Sequence, residues 1–355
     1  MAARRMVTLD DVAREAGVSV STASRTLNGT PSKVSAATQA RVRDVAMRLG
    51  YATNLAAQAV ALGRSQSVGL IVGSIPEDYQ NPVTAGVFRA AADRDLLVST
   101  AITSISNVER TTRAVRQLRG QRASVIVVVG TEAPDSDGVA ELIDELERAE
   151  HEGARVVMIG ISGTPFDSVV VDDHKAGADM ATALHTIGYR EFAVIAGSGP
   201  GLLSQQRVDG FRDGLHQQGV ELPSDRIIWQ DFNHDGGYRG AGELLRRHSV
   251  DAVFCVNDAM AIGACVRLRE AGVNIGTGLA IAGCDDIPAL RDIDPPLSTM
   301  HLPWIEAAEA AFSLAEHDRS DARYVVLEGY PLLRSSTPGT TAGTARTSSR
   351  EQSHG

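Results

Sequence analysis

Three polar side chains follow apolar or Gly-rich runs of the sequence, and together they could bind a small polar ligand. Asn257 and Asp285 each follow an apolar run, and Arg207 follows the Gly-rich segment 197–201. An amide, a carboxylate and a guanidinium can donate to and accept from hydroxyl groups, and the guanidinium fork also fits a carboxylate. These residue types predict reversible ligand binding, although each side chain could instead cap the helix that follows.

The aspartates next to two of these residues have a simpler expected role. Asp258 directly follows Asn257, and Asp286 directly follows Asp285. Because short acidic side chains at strand ends often accept hydrogen bonds from the first turn of the next helix, we expect both aspartates to be helix caps.

Catalysis would need a nucleophile with its base, or a loop that holds a cofactor, and the sequence has neither pattern. The run 197–201 lacks the spacing of a dinucleotide-binding loop, and Pro200 removes one of its amides. The nine histidines have no metal-ligand spacing, and Asp172-Asp173-His174 is one loop without a visible partner. We therefore predict a protein that is not an enzyme and that needs no cofactor or metal.

A second group of hydrogen-bonding side chains lies near the N-terminus, in three short helical patterns. Thr8 with Asp11 has the spacing of a capping box, and Gly17 ends the first helix. A second helix is expected over residues 20–27, with Ala23 and Leu27 facing inward. The other start and stop signals are Ser19, Ser35 and Gly50. Helix, tight turn and helix in this order predict an all-α helix-turn-helix domain over residues 1–50.

In a helix-turn-helix, the first residues of the second helix meet base edges in the DNA major groove. Those residues here are Val20, Ser21, Ser24 and Arg25. Arg25 can hold guanine with two hydrogen bonds, worth about 1–3 kcal/mol of discrimination, whereas Val20 offers only apolar contact. Ser21 and Ser24 could instead be merely hydrated. The side chains that suit phosphate contacts and caps are Thr8, Ser19, Thr22 and Asn28.

The distribution of charge agrees with a DNA-binding head on an acidic body. Residues 1–66 contain nine basic and four acidic residues, a net charge of +5, whereas the remainder has 25 basic and 40 acidic residues, a net charge of -15. The chain has neither the pattern of a signal peptide nor an apolar run of about 20 residues. The cysteines lie in apolar or Gly-rich runs and predict reduced core thiols: Cys255, Cys265 and Cys284. We therefore expect a cytoplasmic, nucleoid-associated protein that contacts no membrane.

From residue 67 the sequence alternates apolar runs with amphipathic helical patterns. The apolar runs are Val68–Val72, Val98–Ile102, Val125–Val129, Val156–Ile159, Phe192–Ile195, Ala252–Val256 and Leu279–Ala282. The helical patterns are Ala85–Arg94, Val108–Gly120, Val139–Glu152, Ala176–Ile187, Arg207–Gln218, Gly236–Arg247 and Ala259–Ala271. Such strands, apolar on both faces, predict an α/β body of two doubly wound parallel-sheet subdomains.

The expected organisation has a short hinge between the head and this body. We expect the hinge over residues 51–66 and the effector-binding and dimerisation domain over residues 67–336. Its two subdomains would span about 67–164 and 165–295, with crossovers after residue 295. Residues 337–355 are rich in Thr, Ser and Gly and have almost no apolar residues, which predicts a disordered tail.

The motifs in this chain are similar to those of the lactose-repressor (LacI/GalR) family. Val7–Ser19 and Ser21–Asn28 match that family's DNA-binding signature nearly residue for residue. Further matches follow in the family's order: Val171–Asp173, Gly188–Arg190, Arg207 with Gly210 and Phe211, Asn257–Ala261, Gly283–Asp286, Pro296–Thr299 and Arg334–Thr337. The resemblance covers about residues 7–337. It implies a body like a periplasmic binding protein and a transcription regulator, with repression relieved by an inducer favoured over corepression.

The resemblance also implies site residues in the hinge. In the family this segment folds on specific DNA and inserts a leucine into the minor groove, which kinks the duplex. Counted from Asn54 and Ala57, the leucine position is Val60 in this chain. Valine is shorter and β-branched, so we expect a shallower wedge and less bending, unless Val60 simply packs against its counterpart in a linker.

In the family, an effector binds in the cleft between the two body subdomains. The implied effector residues are Arg207, Phe232, Asn257 and Asp285, with Phe232 as an aromatic stacking residue or else a core residue. An aromatic pair that the family often has after Asn-Pro is absent from Asn81–Thr84, which favours a sugar or sugar phosphate over a purine. A palindromic double-stranded operator requires two heads, and residues 337–355 lack the family's apolar tetramer heptad, so we expect a homodimer.

Two other classes of protein share parts of this pattern. A periplasmic solute receptor would have a body of this kind, but it would begin with a signal peptide and have no helix-turn-helix. A nucleoid-structuring protein would bind DNA without effector control, which would leave the large body with its ligand-binding residues unexplained.

Overall fold

The computed structural model describes residues 7–27, 34–52, 65–73, 81–103, 107–130, 138–198, 202–317 and 321–340. The chain forms two compact units, Met1–Ser65 and Gln66–Gly355.

In the first unit, the described residues form three helices that bury a small apolar core. They are α1 (Leu9–Ala16), α2 (Val20–Leu27) and α3 (Ala36–Leu49). The predicted capping box is present, since the Thr8 side chain accepts from the Asp11 amide while the Asp11 carboxylate accepts from the Thr8 amide. Gly17 and Gly50 end α1 and α3 in the left-handed conformation, which glycine adopts without steric cost. The core residues are Val12, Ala13, Ala16, Ala23, Val42, Val45 and Ala46. The predicted helix-turn-helix is confirmed.

Twelve strands lie in the described part of the second unit. They are β1 (Ser67–Val72), β2 (Leu97–Ile102), β3 (Val125–Val129), β4 (Arg155–Ile159), β5 (Asp167–Val171), β6 (Phe192–Ser198), β7 (Ile227–Asp231), β8 (Ala252–Cys255), β9 (Ala280–Asp285), β10 (Ser298–His301), β11 (Tyr324–Leu327) and β12 (Tyr330–Leu332). Five of these strands lie outside the predicted set, namely β5, β7, β10, β11 and β12.

The helices of the second unit cover the faces of its sheets. They are α4 (Asn81–Ala92), α5 (Val108–Gly120), α6 (Val139–His151), α7 (Asp173–Thr186), α8 (Leu202–Gln217), α9 (His234–Arg247), α10 (Asp258–Glu270) and α11 (Trp304–Ala315). The sequence did not predict α11. The predicted start of α8 was Arg207, but the helix starts at Leu202, and Arg207 lies in its second turn. No helix in the described ranges is long and apolar enough to cross a membrane.

The strands form two six-stranded sheets, and each sheet is the centre of one subdomain. The first has the order β11-β5-β4-β3-β1-β2 and is parallel throughout, with Val68 opposite both Val98 and Val125. The second has the order β12-β10-β9-β8-β6-β7 and is parallel except for the edge strand β12. Most central strands are buried along their whole length, because helices cover both faces of each sheet. The fold class is as predicted.

The chain passes between the subdomains three times. It leaves the first sheet after β5 and returns after β10, and then crosses again between β11 and β12. The expected boundary near residue 164 is one strand too early, because β5 belongs to the first sheet. The return after β10 also lies a few residues beyond the expected position of 295. Parallel strands from distant parts of the chain complete each sheet, a pattern that local sequence does not reveal.

The expected disordered tail begins too early. Ser336 and Thr337 are buried, and Ser336 Oγ donates to the carbonyl of Ile281 at 2.7 Å. Farther along, the Thr340 amide donates to the carbonyl of Ile187 at 2.9 Å. Small hydroxyl side chains here pair with backbone groups of the second sheet, so their polar character does not indicate disorder. Residues 341–355 lie outside the described residues.

Candidate functional site

The outward face of α2 carries most of the predicted base-reading side chains. Ser21 and Arg25 are exposed, and Val20 is 42% exposed, whereas Ser24 is half-buried. Ala23, on the opposite face, is fully buried in the core of the unit. Exposed hydrogen-bonding groups on one helix face can contact a groove without disturbing the fold, as a recognition helix requires.

Two of the predicted phosphate-contacting residues form helix caps. Ser19 Oγ accepts from the Thr22 amide at 3.1 Å, and its hydroxyl lies 2.8 Å from the Thr22 hydroxyl. Thr8 caps α1 and remains exposed. A phosphate oxygen accepts the hydroxyl hydrogen, and Thr8 Oγ1 donates its hydrogen to Asp11 Oδ2 at 2.8 Å, so a phosphate contact from Thr8 would replace that bond. The other predicted DNA contacts lie outside the described residues: Asn28, Asn54, Ala57 and Val60.

In the second unit, Arg207 is fully buried and lies among carboxylates. Its Nε donates to Asp173 Oδ1 at 2.7 Å, and its Nη1 donates to the carbonyl of Val256 at 2.6 Å. Nη2 lies 3.1 Å from Asp285 Oδ1, but the angle is not that of a hydrogen bond. Arg207 thus brings together the ends of β8 and β9 and the start of α7. We call Arg207, Asp173, Asp258 and Asp285 the Arg207 cluster.

The electrostatics of this cluster are set by burial and by an excess of negative charge. Burial raises the pKa of Asp285 to about 8, against the opposing effect of Arg207, and the nearby Asp258 and Asp173 raise it further. Burial likewise raises the pKa of Asp258 to about 7, although its hydrogen bonds from Thr299 and Ile287 stabilise the carboxylate. Three buried carboxylates share one guanidinium, so the cluster retains a proton near neutral pH.

The pairs Asn257-Asp258 and Asp285-Asp286 have roles that differ from the prediction. Asn257, not Asp258, is the N-cap of α10, and its Oδ1 accepts from the Met260 amide at 2.7 Å. Asp258 lies inside the first turn and accepts from Thr299 Oγ1 at 2.7 Å and from the Ile287 amide at 2.9 Å. The expectation that Asp258 is a helix cap is therefore wrong. Capping occupies the side-chain carbonyl of Asn257, so the interpretation of this residue as a cap is confirmed and its ligand role stays a prediction.

Asp286 is not a helix cap either. Its carboxylate accepts from Arg334 Nη2 at 2.6 Å and from His301 Nδ1 at 3.0 Å. Asp285 and Asp286 both have positive φ angles, 121° and 56°, which are unusual for residues other than glycine. His301 ends β10 at a crossover. The backbone that presents Asp285 is therefore held in place by a residue at the passage between the subdomains, a contact no local sequence pattern indicates.

Phe232 lies at the end of β7, apart from the Arg207 cluster. Its ring is half-buried and packs directly over Gly197, where an added Cβ would lie 2.2 Å from Phe232 Cδ2. It also packs against the main core of the unit. The stacking role of Phe232 remains a prediction.

A cavity of about 440 Å³ lies where the first sheet ends and α7 and α8 begin. None of the four predicted effector residues lines it, but Asp173 does, and Asp173 is hydrogen-bonded to Arg207. The other lining residues are Gly130, Gly160, Ser162, Val170, Val171, Asp172, His174, Leu203, Gln206, Trp304, Tyr324 and Val326. Sequence reasoning placed no ligand contact at Asp173, Trp304 or Tyr324, because the crossovers bring them there.

Two family models match this chain. The model of bacterial regulatory proteins of the lacI family matches residues 8–54, and that of a periplasmic binding protein-like domain matches residues 181–337. The first match coincides with the three-helix unit, and the second contains Arg207, Phe232, Asn257 and Asp285.

Characterised relatives match over most of the chain. The transcriptional regulator GalS of Salmonella typhimurium is 31% identical over 312 residues, which is 87% of this chain and 89% of the relative. The structure of a CelR–cellobiose complex has a TM-score of 0.66 at 26% identity, covering 93% of this chain and 99% of that one. The lac repressor dimer bound to operator and an anti-inducer has a TM-score of 0.80 at 23% identity, covering 94% and 99%, which shows a shared fold.

Proposed function

The chain belongs to the lacI family of bacterial regulatory proteins, and from that premise we propose that it is a transcriptional repressor controlled by a carbohydrate effector. In this proposal α2 reads a palindromic DNA operator, and the Arg207 cluster binds the effector. The observation that carries it is the pairing of an exposed recognition helix in one unit with a buried polar cluster at the subdomain boundary of the other.

The chemistry of the cluster favours a hydroxyl-rich ligand. The carboxylate of Asp285 can accept from one hydroxyl, and Arg207 Nη2 can donate to another. Both atoms are buried and lack a well-aligned hydrogen bond within the described residues, so a ligand hydroxyl that reaches them would satisfy both. The net negative charge of the cluster disfavours an anionic ligand such as a sugar phosphate. A neutral sugar therefore fits better than a phosphorylated one.

Control of DNA binding would follow from the three crossovers. A ligand that holds the two subdomains closer would change how two copies of the body pair in a homodimer. That change would alter the presentation of the two heads to half-sites about one helical turn apart. Such coupling is typically about 1–3 kcal/mol, and the effector and the operator must influence each other equally. No described group suggests a reaction, and the relatives are transcriptional regulators rather than enzymes.

The proposal is tested by selecting binding sites for the full-length protein from random-sequence duplex DNA. We expect a palindromic consensus, and a sugar from a panel of pentoses, hexoses and disaccharides that lowers affinity for it by about 5–150-fold. Asp285→Asn should keep operator affinity and lose most of the response to the sugar. Asp209→Asn, a matched change at a half-exposed aspartate of α8, should respond as the wild type does.

The outcomes separate the parts of the proposal. Failure to enrich any sequence would contradict sequence-specific DNA binding. An operator whose affinity no sugar alters would contradict the carbohydrate effector alone. A full sugar response in Asp285→Asn would place the effector away from the Arg207 cluster.

A further inference from the structure

The cavity beside the Arg207 cluster extends beyond it, toward the edge of the first sheet. Asp173 belongs to both, since it lines the cavity and also bonds to Arg207 Nε. From there the lining continues through Gln206 on α8 to Tyr324 and Val326 on β11, the edge strand of the sheet. A ligand held by the Arg207 cluster therefore has open space on its Asp173 side.

The far wall of this cavity is apolar and exposed. Tyr324 is 58% exposed and Val326 is 47% exposed, while the alternate residues Val325 and Leu327 pack against the main core. Val170, which is opposite Val326 in the parallel pairing of β5 with β11, continues the same wall. The Tyr324 ring makes no hydrogen bond or ring contact with any residue in the described part of the chain. An aromatic ring left uncovered in a cavity is a suitable platform for a flat apolar ligand face.

Two glycines line one side of the cavity. Gly130 and Gly160 follow β3 and β4, and a Cβ on Gly160 would lie 2.2 Å from the Gly130 carbonyl oxygen. The loops can approach each other only without side chains, which leaves the cavity open above them. The cavity has a volume of about 440 Å³. That exceeds what one sugar ring displaces, and suits two linked rings.

We propose that Tyr324 and Val326 form a second subsite, so that the effector is a disaccharide with one ring at the Arg207 cluster and the other on Tyr324. This inference rests on the proposed carbohydrate effector. A pyranose ring has an apolar face of C–H groups and an edge of hydroxyl groups. The face would pack on Tyr324, and the edge would meet the polar lining residues Gln206 and Ser162.

The experiment is calorimetric titration of the full-length protein with disaccharides and with the monosaccharides that compose them. The wild type should bind at least one disaccharide more tightly than its component sugars. Tyr324→Ala should lower the affinity for that disaccharide about three- to tenfold and leave monosaccharide affinity unchanged, because only the second ring contacts Tyr324. Tyr324→Phe should behave as the wild type, since stacking uses the ring. Phe88→Ala is the matched control, because Phe88 is 45% exposed but does not line the cavity.

Three results would overturn the subsite. Equal weakening of mono- and disaccharide by Tyr324→Ala would mean a general structural effect. Wild-type preference for a monosaccharide, with the operator response intact, would reject the second ring and leave the proposed function standing. Binding of no sugar in the panel would reject both the subsite and the carbohydrate effector.

Discussion

The outward face of α2 and the Arg207 cluster use similar side chains in opposite environments. On α2, Arg25 and Ser21 are exposed, and Arg25 has no ion-pair partner within the described residues. In the cluster, the Arg207 side chain is 0% exposed and the Asp285 side chain 1%, and Arg207 contacts two carboxylates and a carbonyl. The outward face of α2 is therefore in contact with water, whereas the Arg207 cluster is part of the protein interior.

Because of this difference, substitutions at the two sites should affect folding stability to different extents. A solvated side chain on α2 can change with little effect on folding, because water replaces whatever is removed. A buried charge is stable only with its partners, so any change in the cluster alters stability. If α2 reads DNA and the cluster binds the effector, as we propose, DNA specificity can vary independently of the fold while effector specificity is tied to it.

The largest expected effect is the loss of stability in Arg207→Ala. The substitution leaves Asp173 and Asp285 buried without their cation, which we expect to lower the free energy of unfolding by about 3–5 kcal/mol. Urea unfolding followed by tryptophan fluorescence reports this, because both tryptophans, Trp229 and Trp304, lie in the second unit.

A second arginine on the same helix supplies the control for that measurement. Arg212 is 40% exposed and pairs with Asp209 at 2.8 Å, so Arg212→Ala should cost only about 0–1 kcal/mol. Equal losses in the two variants would show that the Arg207 cluster does not hold the second unit together, and the contrast with α2 would disappear.

The next effect concerns α2. Arg25→Ala should remove preference at one base pair of each half-site, about 1–3 kcal/mol, while unfolding stays within about 0.5 kcal/mol of the wild type. Site selection with the variant, compared with the wild-type consensus, measures the first quantity. Arg43→Ala, at an exposed arginine of α3, is the control and should leave the consensus intact. An unchanged consensus in Arg25→Ala would remove Arg25 from the base-reading set.

The helix-turn-helix was predictable because its signals are local. Thr8, Ser19 and Ser35 lie within three residues of the amides they cap, and Gly17 and Gly50 stand at the turns they permit. Burial in such a small unit follows helical spacing, which placed Ala23 inward and Val20 outward. Helical spacing and cap residues are therefore enough to define the reading face of α2.

The body was less predictable because its site is assembled across the chain. Periodicity found seven strands but missed β5, β7 and β10. It also missed β11 and β12, which are short and partly exposed. Asp173 meets Arg207 across 34 positions of sequence, and Asp286 meets Arg334 across 48. Family resemblance named Arg207, Asn257 and Asp285, but the carboxylates that share Arg207 and the cavity wall at Tyr324 depend on the three crossovers.

The smallest effect is a difference in how the two regions respond to pH. The first 65 residues contain no histidine, whereas the cluster in the second unit has aspartates with pKa values raised to about 7 and about 8. These aspartates keep protons in the folded chain that they lose in the unfolded chain, where their pKa is near 3.8. The free energy of unfolding of the second unit should therefore fall as pH rises from about 5 to 8 and level off above pH 8.

Tryptophan fluorescence in urea at pH 5, 6, 7 and 8 measures this slope. Asp285→Asn removes one of the titrating carboxyls, so its slope should be shallower, and Asp209→Asn should keep the wild-type slope because Asp209 is half-exposed. A wild-type stability that does not change over this range would mean that the guanidinium of Arg207 holds all three carboxylates ionised. In that case the cluster carries its full excess of negative charge at neutral pH, and a cationic amino sugar would become a better ligand than a neutral one.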